Sequence, residues 1–408
     1  MTTTFARLSA ALLAGVAFGF TSSAHAQDKN VKIGVLTDMS SLYADINGPG
    51  AVVAIKMAVE DSGLLAKGWK IDVLGGDHQN KPDVGVNLAR QWIDTEKVDV
   101  ISDTPNSGVA LAVSNLVKEK NAILLNSGAA SADLTGKACN ANTISYTYDT
   151  YMLANGTGKA LTKAGGDSWF FLTADYAFGA ALERDTTAVV SANGGKVVGG
   201  VKHPLNTSDF SSFLLQAQNS KAKIIGLANA GGDTTNSIKQ ASEFGIVEGG
   251  QKLAALLLFV NDVHSLGLKV AHGLTFTESF YWDLNDNTRA FATRFQEKAA
   301  NKAKPSMTQA GNYAAVLHYL KALDALGGNP HDGAKVVAKM KELPTDDPLF
   351  GKGPLREDGR RIIPAYLFEV KKPEESKGPW DYYKLIATIS AEDAAKPLKD
   401  SECPLVKK

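Results

Sequence analysis

The chain carries no excess charge of either sign. Its 43 lysines and arginines balance 43 aspartates and glutamates over 408 residues, so a nucleic-acid partner has no electrostatic footprint to follow. Past residue 26 there is no apolar run of membrane-spanning length. The nearest, LAALLLFV from Leu253 to Val260, is strand-sized. Cysteine is almost absent, with only Cys139 and Cys403. Beyond the leader the histidines, His78, His203, His264, His272, His318 and His331, are scattered at spacings that form no ligand cluster, so no metal site is expected.

The signatures of common enzymes are missing as well. There is no G-x-S-x-G nucleophile elbow, no G-x-x-x-x-G-K-[ST] phosphate loop and no H-E-x-x-H helix. Gly48-Pro49-Gly50 opens a helix after the first strand, but Val53 stands where a dinucleotide fingerprint needs its third glycine. Asp77 and His78 are adjacent in an extended segment, where neighbouring side chains point to opposite faces and cooperate poorly as acid and base. No catalytic residue and no cofactor are expected.

Residues 1–26 read as a secretory leader. Arg7 precedes an apolar run from Ala10 to Phe20, and Ala24-His25-Ala26 fits a small-x-small cleavage site. Its removal leaves 382 residues, with 42 basic and 43 acidic side chains and a net charge of −1, enough chain for two domains with sizeable cores. Export favours pairing Cys139 with Cys403. Such a bridge closes a loop of most of the chain, for which chain entropy sets a ceiling of about 5 kcal/mol. Two free buried thiols are the alternative.

From Val31 onward strands and helices alternate. VKIGVLT, WKIDVLGGD, VDVIS, AILLN and NTISY are strands separated by helical stretches; SWFFLTAD, KVVGGVKH, KIIGLANA and KLAALLLF form a second series. The fold class is therefore α/β, with two doubly wound parallel-sheet lobes. The chain is expected to leave the first lobe around Tyr148 to Tyr151 and to return within Gly273 to Phe280. Three helices follow, then two late strands, IIPAYLFEVK and WDYYKLIATIS, which suit a third passage. Residues 27–147 and 276–345 are assigned to lobe 1, and 148–275 and 346–408 to lobe 2. Three such segments act as parallel pivots of a hinge.

Loops at the carboxyl edges of parallel strands are where ligands gather. The loop DTPNSG, followed by an amphipathic helix, places Asn106 and Ser107 where a helix N-terminus could hold an anion. The next loop, SGAASADLTG, repeats the design with Ala129, Ala130 and Ser131. Aromatics fall at the same edges or at the crossings: Tyr43, Tyr148, Tyr176, and Phe280-Tyr281-Trp282. Together they outline an interlobe pocket of the kind that holds a small organic ligand.

With VKIGVLTDMSSLYADING, the Ser127–Gly136 loop, TADYAFG and this order of lobes and crossings, the chain resembles periplasmic substrate-binding proteins of type I fold, of the leucine/isoleucine/valine-binding kind, that serve ABC importers. The resemblance covers essentially the whole mature chain. It implies a monomer in the periplasm that closes on a small-molecule ligand and presents it to an inner-membrane permease and ATPase complex. It also implies a ligand carboxylate held by Asn106, Ser107, Ala129, Ala130 and Ser131, an aromatic cover from Tyr43, and a ligand ammonium held by Asp149. A second acidic contact is expected after KLAALLLF, but Phe259-Val260-Asn261 stands there, with Asp262 one step beyond. Ala230, Phe259, Asn261 and Tyr281 complete the expected lining. Losing a carboxylate weakens the case for an α-amino acid, which leaves amino acids, amides and aromatic or other small carboxylates open. A periplasmic sensor that hands its closed form to a signalling receptor is the alternative; an enzyme on this fold ranks third.

Overall fold

The computed structural model describes residues 1–2 and 28–407; most of the expected leader lies outside them. The first series runs β1 (Asn30–Thr37), α1 (Gly48–Asp61), β2 (Lys70–Asp77), α2 (Pro82–Gln91), β3 (Val100–Asp103), α3 (Ser107–Lys120), β4 (Ile123–Asn126) and β5 (Thr143–Ser145). These strands form a parallel sheet in the order β2-β1-β3-β4-β5. β3, β4 and β5 are buried on both faces, which is why their sequences are short runs without alternation. The edge strand β2, with lysine and a glycine pair, is half-exposed.

The second series starts with α4 (Thr150–Leu153) and α5 (Lys159–Lys163), joined through a π-turn at Ala154–Gly158. It continues through β6 (Ser168–Ala174), α6 (Ala177–Ala192), β7 (Lys196–His203), α7 (Ser211–Asn219), β8 (Ile224–Ala228), α8 (Gly232–Glu243), β9 (Lys252–Ala255), α9 (Val260–Leu266), α10 (Leu268–Ala271) and β10 (Thr275–Glu278). Its sheet is ordered β7-β6-β8-β9-β10, the pattern of the first sheet repeated. α11 (Asp286–Lys298), α12 (Met307–Leu326) and α13 (Gly333–Glu342) return to the first sheet, where α12 packs on α1. The hairpin β11 (Thr345–Asp347) and β12 (Gly351–Gly353) stays beside them. β13 (Ala365–Val370) and β14 (Tyr383–Ile389) then extend the second sheet as antiparallel strands.

Three segments thus cross between the lobes: Tyr146–Asp149, the stretch after Glu278, and Ile362–Pro364. Two lie later than the sequence suggested. Thr275–Glu278, expected to begin the return, is still a strand of the second sheet, paired with Glu369–Tyr366. Residues beyond 345 remain with the first lobe, because Ser145 N–H donates to Gly359 O and Arg361 N–H to Ser145 O, which extends the edge at β5. The strand expected through KLAALLLF ends at Ala255. Leu256, Leu257 and Leu258 are buried as a connection into α9, an apolar run whose periodicity cannot distinguish strand from buried loop. Cys139 and Cys403 form a disulfide with Cα atoms 5.5 Å apart, so the tail after β14 ends on the first lobe.

Candidate functional site

A small cavity of about 10 Å³, roughly the room for one water molecule, lies between the closely shut lobes. From the first lobe it is lined by Tyr43, Ile46, Asn47, Pro105, Gly128 and Ala130, from the first crossing by Tyr148, and from the second lobe by Tyr176, Phe178, Ala230, Leu257 and Phe259. Every one of these belongs to a connection leaving the carboxyl edge of a parallel strand or to the short helical start that follows it.

The β1 connection is built by its own polar residues. Asp38 accepts from the Ser41 and Tyr43 amides and from Asn80 Nδ2, which bends the chain and projects Tyr43 into the cleft. The start of α12 fixes the far end, with Ser306 and Thr308 hydroxyls donating to Ile46 O and Gln309 Nε2 to Asn47 O. Asn47 Nδ2 in turn donates to Asp103 Oδ1 at 2.6 Å, where Asn312 Nδ2 also donates at 2.8 Å. Gly128 passes over this junction: a Cβ there would lie 2.7 Å from Pro105 Cα and 2.9 Å from Asp103 Oδ1, so only glycine fits.

The two lobes meet through tyrosine. Tyr43 Oη from the first lobe and Tyr176 Oη from the second are 2.5 Å apart. Tyr148 Oη donates to Gly128 O at 2.7 Å, and its ring packs edge-on against Phe259. Burial pushes all three phenols above their ordinary pKa, so each remains a neutral hydroxyl. The Tyr43–Tyr176 pair holds two protons and uses one between the oxygens, which leaves one O–H for a ligand acceptor. Ala130 lines the cavity, and its N–H donates to no described residue. Asn47 Oδ1, buried without a partner, is a neutral acceptor.

Six of the residues anticipated from sequence line this cavity: Tyr43, Ala130, Tyr148, Tyr176, Ala230 and Phe259. The others are engaged elsewhere. The Asn106 carboxamide oxygen accepts from the Gly108 and Val109 amides, so it caps α3 and fills the anion position expected at that helix start. Ser107 Oγ accepts from Ser131 N–H, and Ser131 Oγ from Asp133 N–H, holding two loops together. Ala129 is turned into a small cluster with Ala110 and Leu134, its amide on Asn126 Oδ1. Asp149 caps α4 and pairs with buried Arg360 at 2.9 Å. Asn261 lies in the first turn of α9, outside the lining. Tyr281 is in the second lobe's core, stacked on Tyr383 and donating to Trp380 O. Asp262, the reserve acid, accepts from Phe259 N–H across the start of α9, and burial raises its pKa to about 7.

Ile46, Asn47, Pro105, Gly128, Phe178 and Leu257 were not singled out from sequence. Asn47 carried a signal, as an asparagine directly before a helix opened by Gly-Pro-Gly. A larger crevice of about 390 Å³ beside the first crossing is lined in part by charged groups that pair with one another: Arg184 with Asp133 at 3.1 Å, Arg356 with Asp358, and Lys396 with Glu402 at 3.6 Å. Among the described residues no group of three or more His, Cys, Asp or Glu side chains could hold a metal ion, and no helix is long and apolar enough to cross a membrane.

Residues 30–378 match the model of the family described as periplasmic binding protein. The chain belongs to that family. A solved periplasmic binding protein from Burkholderia mallei is 52% identical to this binding protein, with 93% of this chain and 100% of that one covered and a TM-score of 0.89. A branched chain amino acid ABC transporter periplasmic ligand-binding protein from Burkholderia xenovorans is 41% identical, covering 92% and 100%, with a TM-score of 0.82. Leu/Ile/Val-binding protein homolog 6 of Brucella abortus is 26% identical over 379 residues, 90% of this chain and 93% of that protein. Family and fold agree with the two-lobed type I architecture, and family membership implies a periplasmic protein that binds a small ligand for an ABC transporter.

Proposed function

We propose that this periplasmic binding protein captures a compact monocarboxylate with an uncharged, apolar body, aromatic or short and branched, and lacking a free ammonium. It delivers that ligand to an inner-membrane permease and ATPase complex, reaching the periplasm through its cleaved N-terminal leader. One observation carries the reading: aromatic rings from both lobes and from the crossing surround the cavity, yet no carboxylate lines it. A buried ammonium without an anionic partner costs several kcal/mol. Asn47 Oδ1 alone can take a hydroxyl or an amide N–H but leaves an ammonium uncompensated. A carboxylate instead finds the spare tyrosine O–H and the Ala130 N–H.

An isosteric pair tests this. Calorimetric titration with 4-methyl-2-oxopentanoate, benzoate and L-leucine compares ligands that share size but differ in the ammonium. The keto acid or benzoate is expected to bind at least about tenfold more tightly than L-leucine, a difference of about 1.4 kcal/mol. Tighter binding of L-leucine than of both acids overturns the proposal. Native mass spectrometry of protein purified without ligand exchange identifies any retained molecule independently.

A further inference from the structure

The lobes also meet at the start of α8, where Gly231 and Gly232 have no side chains. Gly231 has φ of +58°, and a Cβ there would lie 2.6 Å from the Leu42 carbonyl oxygen and 3.1 Å from the Tyr43 ring. A Cβ on Gly232 would lie 2.9 Å from Leu42 Cδ1. Leu42 and Tyr43 sit on the β1 connection of the first lobe, the glycines on the β8 connection of the second. The two connections belong to separate sheets joined at a distance, through the hinge crossings and the disulfide-bound tail, so these approaches exist only while the cleft is shut.

The same approach puts Tyr43 Oη on Tyr176 Oη and brings Ala230, which precedes the pair, into the cavity wall. The Leu42 oxygen is backbone held between anchored residues and cannot rotate aside. The Leu42 side chain can. Any side chain at 231 therefore props the lobes apart, whereas a methyl at 232 displaces only the end of the Leu42 side chain, which turns aside.

We propose that Gly231 is a closure seat: a positioning residue that touches no ligand but sets how far the lobes close, and hence how firmly the closed state holds its ligand. The inference rests on the reading of the interlobe cavity as the ligand site, and the experiment separates the two.

Spin labels on Lys56→Cys in α1 and Lys239→Cys in α8, both exposed, report the interlobe distance by pulsed electron–electron resonance in ligand-free protein. The wild-type chain is expected to show a short-distance, closed population that Gly231→Ala loses and that Gly232→Ala, whose methyl meets only the end of the Leu42 side chain, retains. Alanine at 231 is strained in the open and closed states alike, so the strain lowers stability without moving the distance. In parallel, Gly231→Ala should bind 4-methyl-2-oxopentanoate about fivefold or more weakly than wild type, with Gly232→Ala within about twofold. A Gly231→Ala protein with the wild-type distance distribution, or a Gly232→Ala protein that opens as far as Gly231→Ala, overturns the seat. Failure of wild-type protein to bind either 4-methyl-2-oxopentanoate or benzoate overturns the ligand proposal, and the distance measurement still decides the seat.

Discussion

Arg360 Nε lies 2.9 Å from Asp149 Oδ2, and both side chains are almost entirely buried. Asp149 ends the first crossing and Arg360 lies two residues before the third, so the pair binds two hinge segments side by side. Arg361 adds to this, its guanidinium 4.5 Å from the Tyr146 ring and 2.6 Å from Asp347. Removing one partner leaves a buried, uncompensated charge, which typically costs about 3–5 kcal/mol. Arg360→Met and Asp149→Asn should each lose stability of that order in urea unfolding, and the double variant should recover much of it. Asp149 does not line the cavity, so Asp149→Asn should bind 4-methyl-2-oxopentanoate within about twofold of wild type wherever the protein is folded. A collapse of affinity with unchanged stability would return Asp149 to the ligand site.

The Tyr43–Tyr176 hydroxyl pair makes a second prediction. Tyr43→Phe and Tyr176→Phe each keep the ring and delete one end of the same interlobe hydrogen bond, worth about 0.5–1.5 kcal/mol net. Either should weaken ligand binding about threefold to tenfold in calorimetry, with ligand-free stability little changed. Because both remove one shared bond, the double variant should lose less than the sum of the two.

The lobes and their sheets could be read from the chain because each strand and helix carries its own period, and the doubled βα series fixes the architecture. The cavity aromatics were visible for a related reason, since they stand at strand ends where a cleft has to be. Most of the assignments that moved were polar; Ala129 and Tyr281 went into apolar packing instead. Asn106, Ser131 and Asp149 are residue types that cap helices as readily as they bind ligands, and in this chain each caps. Only the folded chain shows Arg360, more than two hundred residues later, arriving beside Asp149. The same distance hides the third crossing, which is fixed by hydrogen bonds between Ser145 and residues 359–361 rather than by local pattern.

Asp103 gives a pH-dependent prediction. It is wholly buried at the end of β3; Asn47 and Asn312 both donate to Oδ1, while Oδ2 has no partner. Burial raises its pKa to about 6. The folded state therefore holds a proton that the unfolded chain, titrating near the ordinary carboxylate value, has released. The contribution of this group to stability falls as pH rises from about 4 to about 6, and the penalty is complete above that range. Asp103→Asn keeps the oxygen that receives both amides and removes the charge. It should match wild type near pH 4 and be more stable at pH 7–8, by on the order of 2 kcal/mol. Thermal unfolding of both proteins across that range checks it; a constant difference at all pH values would rule out titration of Asp103 as the cause.

The Cys139–Cys403 bridge joins residues 264 apart in sequence. The tail it secures leaves β14 in the second lobe, passes the π-turn between α4 and α5 where Asn155 Nδ2 donates to Asp393 O, and reaches the first lobe, where Arg356 Nη1 donates to Lys396 O at 2.8 Å. The disulfide thus closes a covalent path around the hinge in addition to the three crossings. Its loss should act in two ways. Freeing so long a loop in the unfolded chain should cost about 2–5 kcal/mol of stability, seen as a lower urea midpoint for Cys139→Ser/Cys403→Ser or for reduced protein. Releasing the tail should also let the lobes open further, so the ligand-free double variant should show a larger radius of gyration in small-angle X-ray scattering than the oxidised wild type. With ligand bound the two should agree, because closure is set at the cleft. Equal radii in the ligand-free state would show that the tail follows the hinge without restraining it.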